Sequence, residues 1–213
     1  MLLDHHMVPT DTDVAGWMDD ADQQGARIVR TGALFPNAAP AFLAAGFQVA
    51  DTLTLLSRRL EADASPPRRP RVPPGVRLRR LRPPMLADAA AIDRRSFAPP
   101  WANDSAALVD IMNATPHHRS RSVHLDGRMV GFSISGRADR AGYVQRLAVD
   151  PSSRRRGIAG LLLDDAVEWM RRRHVHQAMV NTAADNRPAL ALYESTGFAR
   201  EAGSLLILER GLR

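Results

Sequence analysis

The chain has 213 residues, no cysteine, seven histidines and a formal net charge of +6. The missing cysteines exclude disulfides, thiolate metal sites and a cysteine nucleophile, and no apolar run approaches the ~20 residues that a bilayer-crossing helix needs. The start Met1-Leu2-Leu3-Asp4-His5-His6 lacks the basic opening and apolar core of a secretory signal, so a cytoplasmic protein with no membrane partner is expected. His5-His6 and His117-His118 are adjacent pairs without the i, i+4 spacing of a helical metal site, so they are read as exposed loop histidines and no metal is expected. The positive charge attracts anions, but few aromatics are present to stack bases, which argues against nucleic acid as the partner.

In chain order, residues 1–62 carry a strand near Val29, a short helix, Gly46-Phe47 and a strand near Leu55. Residues 63–75 are rich in proline and arginine and read as an extended linker. From residue 76 to 213 the pattern is regular. Val76 to Leu81 reads as a strand and Pro84 to Arg95 as a helix with Leu86, Ala89, Ala90 and Ile92 at core spacing. A rigid loop Phe97-Ala98-Pro99-Pro100-Trp101 follows, then a helix from Asp104 to Asn113. Arg121 to Leu125 and Met129 to Ser135 form two strands around Asp126-Gly127, a tight-turn signal. Val130, Phe132 and Ile134 alternate with Gly131, Ser133 and Ser135, which predicts a half-buried strand. Tyr143 to Val149 is the next strand. A helix from Gly157 to Arg173 has Ile158, Leu162, Ala166 and Trp169 on its apolar stripe, with Asp164, Glu168 and Arg172 towards water. Gln177 to Thr182 is a strand, Asp185-Asn186-Arg187-Pro188 opens a helix that ends near Gly197, and Leu205 to Leu208 is the last strand.

The two ends of the chain share a pattern at constant offset. Val29 matches Val180, Thr31 Thr182, Ala38 Ala189, Gly46-Phe47 Gly197-Phe198, Leu55 Leu206 and Arg59 Arg210. The shared Gly-Phe at equivalent helix ends marks a degenerate internal repeat.

The richest chemistry lies between Gln145 and Gly160. A strand ends, a basic loop with Arg154, Arg155 and Arg156 follows, and Gly157, Ile158, Ala159 and Gly160 open a helix. Unpaired N–H groups and the positive end of the helix dipole make such a start an anion site suited to a pyrophosphate. Gly157 allows close backbone approach.

Arg154-x-x-Gly157-x-Ala159 after Leu147-Ala148-Val149 resembles the acetyl-CoA motif of the GNAT superfamily of N-acyltransferases. Asn181 to Phe198, with Asn186, Tyr193 and Gly197-Phe198, is similar to the family's following strand and helix. The resemblance covers about Val76 to Arg213. It implies an α/β (α+β) GNAT fold, in which a mixed, mostly antiparallel sheet is flanked by helices, with residues 1–62 as a partial GNAT-like half. It implies acetyl-CoA as cosubstrate, held by the backbone of Leu147, Ala148 and Val149, by the Arg154–Gly160 loop and by Asn186. It also implies that Tyr193 protonates the leaving thiolate, a pairing that suits the two groups' unperturbed pKa values. Within the family the chain is somewhat similar to the ribosomal-protein alanine N-acetyltransferases. Those place a carboxylate where this chain has Asn181, so the general base is left unassigned. Other members, among them the mycothiol-forming enzymes, are tandem repeats with one inactive half. Here Phe42 stands in the place of Tyr193 and Phe35 in that of Asn186, so the N-terminal half is expected to be silent.

The expected activity is therefore direct acetyl transfer from acetyl-CoA to a primary amine, either a peptide N-terminus or a small amine. A non-catalytic acyl-CoA sensor and a nucleic-acid-associated protein are the alternatives, and a homodimer is left open.

Overall fold

The computed structural model describes residues 8–60, 72, 74–99 and 101–212. Most of the expected 63–75 linker, the Met1–His6 start and Pro100 of the aromatic loop thus lie outside the described residues. The elements are α1 (Asp11–Gln23), β1 (Ile28–Arg30), α2 (Pro40–Ala44), β2 (Gln48–Arg59), β3 (Val76–Arg80), α3 (Leu86–Ser96), α4 (Ser105–Asn113), β4 (His117–Leu125), β5 (Arg128–Ala138), β6 (Ala141–Val149), α5 (Ile158–Arg171), β7 (Gln177–Ala183), α6 (Arg187–Ser195) and β8 (Ala199–Gly211). The chain divides into two units that do not follow chain order. One comprises residues 1–56, 181–191 and 200–213, the other residues 57–180 and 192–199.

In the second unit β3, β4, β5 and β6 form an antiparallel meander, and β7 then runs parallel to β6. Asp126 and Gly127, both at positive φ, make the tight turn between β4 and β5. Helices α3 and α4 cover one face through Ala89, Ile92 and Leu108, packed with Phe132, Ile134 and Ala148. Helix α5 covers the other through Ile158, Leu161 and Leu162, packed with Val123, Val130 and Val149.

Three expectations need correcting here. β5 is not half-buried: Met129 to Gly136 are all buried, because helices lie on both faces of the sheet. Its alternation also breaks. The register slips between Val123 and His124, so Val130 joins the α5 face while Phe132 and Ile134 join the other. Glu168 is buried rather than turned to water, and accepts from Arg172 Nε at 2.7 Å. Finally, His117 and His118 are exposed but lie on β4, not in a loop.

The α5 face of the sheet carries charge, and α5 answers it. Asp165 accepts a bidentate pair from Arg119 at 2.7 and 2.9 Å, and Arg121 Nε lies 3.2 Å from the same carboxylate. Two guanidiniums share one buried carboxylate here, and burial with the neighbouring Arg119 charge lowers the pKa of Arg121.

In the other unit the strand order is β1-β8-β2-β7. β1 pairs antiparallel with the end of β8, Val29 opposite Arg210, and Leu34 bridges to Leu206. β8 is thirteen residues long, far beyond the Leu205–Leu208 expected. α1 begins with a reciprocal capping box, Thr10 Oγ1 accepting from Asp13 N and Asp13 Oδ2 from Thr10 N. The unit's core gathers Val14, Met18, Leu34, Phe42, Phe47 and Leu208. Trp17 stacks on Phe42 at 5.9 Å, and Phe42 meets Phe47 edge-on at 5.2 Å.

The repeated Gly-Phe ends two helices in one geometry. Gly46 and Gly197 both have φ of +85°. Phe47 N donates to Phe42 O, and Phe198 N to Tyr193 O, each at 3.0 Å. Gly46 N and Gly197 N close the inner turn onto Leu43 O and Glu194 O. This is a Schellman end, which needs the left-handed residue that glycine supplies without strain. Among the described residues no helix is long and apolar enough to cross a membrane.

Phe42 is the hub of its aromatic cluster. Phe42→Ala should lower the unfolding free energy by about 3–5 kcal/mol, read as an earlier urea midpoint. An unchanged midpoint would mean that this cluster does not hold the unit together.

Candidate active site

The site is built on β6 and the start of α5. β6 follows β5 along its whole length, from Ala138↔Ala141 to Gly131↔Val149. Its parallel register with β7 runs only from Ala141↔Gln177 to Tyr143↔Met179. Asp150 N donates to Val130 O at 2.9 Å, so alternate residues address β5. The backbone groups of Leu147 and Val149 therefore turn to the open side. Val149 O is met there by Ser96 Oγ at 3.1 Å and Arg154 Nε at 3.4 Å.

Asp150 shapes the loop beyond. One carboxylate oxygen accepts from Ser152 N at 3.0 Å and Ser152 Oγ at 2.6 Å; the other accepts from Arg95 Nε and Nη2 at 2.9 and 2.7 Å. The Ser152 hydroxyl and the Arg95 guanidinium hold this buried acid down at about 2. Arg155 and Gly157 then take positive φ, +63° and +74°, and Gly157 caps α5. The first α5 bond is Leu161 N to Gly157 O. Among the described residues the N–H groups of Arg155 to Gly160 have no backbone acceptor. A Cβ built on Gly160 meets nothing within 4 Å, so space lies open beside the helix start. Arg155 and Arg156 are exposed, whereas Arg154 also leans towards Ser96 O at 3.5 Å. Unpaired donors, dipole, open space and arginines fit a diphosphate.

Tyr193 is buried, 7 % exposed, with Phe198 at 6.0 Å. Burial pushes its phenol up to about 12, against the opposing pull of the Arg146 charge. It is therefore protonated at neutral pH. Arg146 itself is a residue that sequence reasoning missed. It makes a bidentate pair with Asp93, 2.7 Å for each bond, donates to Trp101 O at 2.8 Å, and lies 3.5 Å from the Phe97 ring centroid. Asp93 and Arg146 stand 53 positions apart in the chain, and no local spacing announces their contact.

Asn186 belongs to the other unit. Its Oδ1 accepts from Ala189 N at 3.3 Å, capping α6, and its Nδ2 donates to Thr182 Oγ1 at 3.0 Å. Asn181, Asp185 and Glu194 are exposed. The second unit thus gathers Leu147, Ala148, Val149, Arg154, Arg155, Arg156, Gly157, Ile158, Ala159, Gly160 and Tyr193.

Residues 86–198, more than half of the chain, match the model of the Acetyltransferase (GNAT) family. The chain belongs to that family. Its members are acetyl-CoA-dependent acyltransferases. The chain is 33% identical over 183 residues to a mycothiol acetyltransferase of Thermomonospora curvata, an alignment covering 83% of this chain and 61% of that protein. It is 29% identical over 113 residues to the [ribosomal protein bS18]-alanine N-acetyltransferase of Escherichia coli, 53% of this chain and 74% of that one. The fold is shared with a GCN5-related N-acetyltransferase from Sphaerobacter thermophilus at a TM-score of 0.65 and 18% identity, over 95% of this chain and 68% of the other. The chain thus spans about three fifths of the mycothiol enzyme's length.

The depressed carboxyl of Asp150 links loop shape to pH. Its folded pKa of about 2 lies below the ordinary 3.8. Its contribution to stability is therefore complete above about pH 4 and is lost as pH falls towards 2. Asp150→Asn should flatten the acid limb of a stability–pH curve across that window. Identical slopes for the two proteins would sever the link.

Proposed function

We propose that this chain transfers an acetyl group from acetyl-CoA to a primary amine, a peptide N-terminus or a small amine, at the open side of β6. The observation that carries this reading is the juxtaposition in one unit of the outward-facing backbone of Leu147 and Val149 with the uncommitted N–H groups of Arg155 to Gly160. Acetyl-CoA, when bound, supplies the activated acyl group as a thioester.

The residues divide the work by chemistry. N–H groups of the α5 start, with Arg155 and Arg156, hold the diphosphate. The Leu147 and Val149 backbone orients the pantetheine amides, and an N–H of this strand can stabilise charge on the carbonyl oxygen under attack. Asn186, in the other unit, caps α6 and gives one Nδ2 hydrogen to Thr182. Tyr193 Oη holds its proton until a thiolate leaves, then gives it up. Asp150 and Asp93 are poor bases for the incoming amine. The first is held at about 2, and the second is committed to Arg146 and Asn103 N.

The relatives' names point to different acceptors: mycothiol for one, an alanine of a ribosomal protein for another. Amine acetylation is the reading that the resemblance of the sequence implies.

Tyr193→Phe should lower turnover by about 10²-fold while leaving acetyl-CoA affinity nearly unchanged, measured by thiol release over a panel of peptides and amines. Acetyl-CoA at 100 times its Kd should stabilise the wild type by about 2.7 kcal/mol, and Gly157→Val should abolish that shift. Tight binding without turnover on any amine would make the chain an acyl-CoA sensor. A full shift in Gly157→Val would put the cofactor elsewhere.

A further inference from the structure

The loop after α3 is tied to β6, the strand that carries the reacting centre in the reading above. Phe97 leads out of α3, and Trp101 and Asn103 follow before α4 begins at Ser105. Here one side chain of β6 gathers the loop. Arg146 donates to both oxygens of Asp93, donates to Trp101 O, and carries the Phe97 ring on its guanidinium face. In the amide orientation that its surroundings satisfy, Asn103 Oδ1 accepts from Arg146 Nη2 at 3.1 Å and Nε at 3.2 Å. Asp93, whose side chain is 0 % exposed, also accepts from Asn103 N at 2.7 Å. Arg146 sits immediately before Leu147, and its charge acts on the Tyr193 phenol.

We propose that Arg146, fixed by Asp93, is a positioning residue of the transfer site, tying Phe97, Trp101 and Asn103 to the strand that carries the reacting centre. The proposal rests on the acetyl-transfer reading for the loop's role, but not for the clamp itself. Three properties of guanidinium are used together. Its planar fork matches the Asp93 carboxylate, the second Nη2 hydrogen reaches Trp101 O, the Asn103 oxygen shares the Nε and Nη2 hydrogens, and its face stacks on Phe97. Lysine has the charge without the fork or the face, so it cannot make all of these contacts at once. A buried charge that loses its partner is strongly unfavourable. The pair therefore holds as a unit and the loop follows it. The consequence for catalysis is specific. Loosening the clamp should impair the acceptor's fit and leave the diphosphate site at the α5 start in place.

Trp101 reports on the loop directly once Trp17 and Trp169 are replaced by Phe, which leaves it as the sole tryptophan. In that background Arg146→Lys and Asp93→Asn should raise acrylamide quenching of Trp101 by about threefold, the mark of local opening. Far-UV circular dichroism and the acetyl-CoA Kd should stay at the parent values. On an amine that the parent turns over, KM for the amine should rise about tenfold or more. Tyr193→Phe in the same background should leave Trp101 unchanged, so failure of the clamp and failure of the phenol's role show in different signals. Should the substitutions at the buried pair not fold, Asn103→Ala removes one link of the same hub and is read in the same way. Folded variants in which Trp101 is quenched as in the parent would overturn the proposal.

Discussion

Among the described residues β6 has strand neighbours on both sides only as far as Tyr143, and the rest of the site depends on that constraint. Backbone N–H and C=O groups are strong and need partners. A sheet closed along all of β6 would have used those of Leu147 and Val149 internally. Here they address the open side, and Val149 O takes Ser96 and Arg154 as partners. The same departure continues past Val149. Asp150 turns the chain, positive φ at Arg155 and Gly157 aims the following amides outward, and α5 adds its dipole. A strand end and a helix start thus present donors in one unit, which is what a long ligand with amides at one end and phosphates at the other requires.

The second unit uses charge as well as apolar packing to join helices to its sheet. Arg95 of α3 holds Asp150, Asp93 of α3 holds Arg146 of β6, and Asp165 of α5 meets Arg119 and Arg121 of β4. Such pairs are not a cheap source of stability, because desolvation opposes them. Their geometry is exacting, however, and each fixes one helix or loop at one register. Apolar contacts such as those of Ile92 or Leu162 tolerate small slips; a bidentate fork does not.

Much of this was legible in the sequence where the determinants are local. The basic Gly157 loop, the Asn186 cap, the Asp126-Gly127 turn and the paired Gly-Phe helix ends all rest on a few adjacent residues. α1 is weakly announced, although Thr10 and Asp13 carry a capping-box pattern; the residue completing the box is Asp rather than the usual Glu or Gln. The full length of β8 is not legible because its polar first half has no apolar alternation, and β1 supplies part of its pairing from the far end of the chain. The burial of Glu168 and of both faces of β5 follows from what packs over them, which periodicity does not report. The Asp93–Arg146 pair is the clearest case. Each residue alone reads as a solvated charge, and only the fold brings them together.

Backbone hydrogen exchange with and without acetyl-CoA tests the central claim most directly. The amides of Leu147, Val149 and Arg155 to Gly160 have their exchange set by local exposure in the ligand-free protein. The account predicts that acetyl-CoA slows exchange at these positions together, while the amides of Ala148 and Asp150, which face β5, change little. Protection confined to residues 8–60, or none at the start of α5, would contradict it.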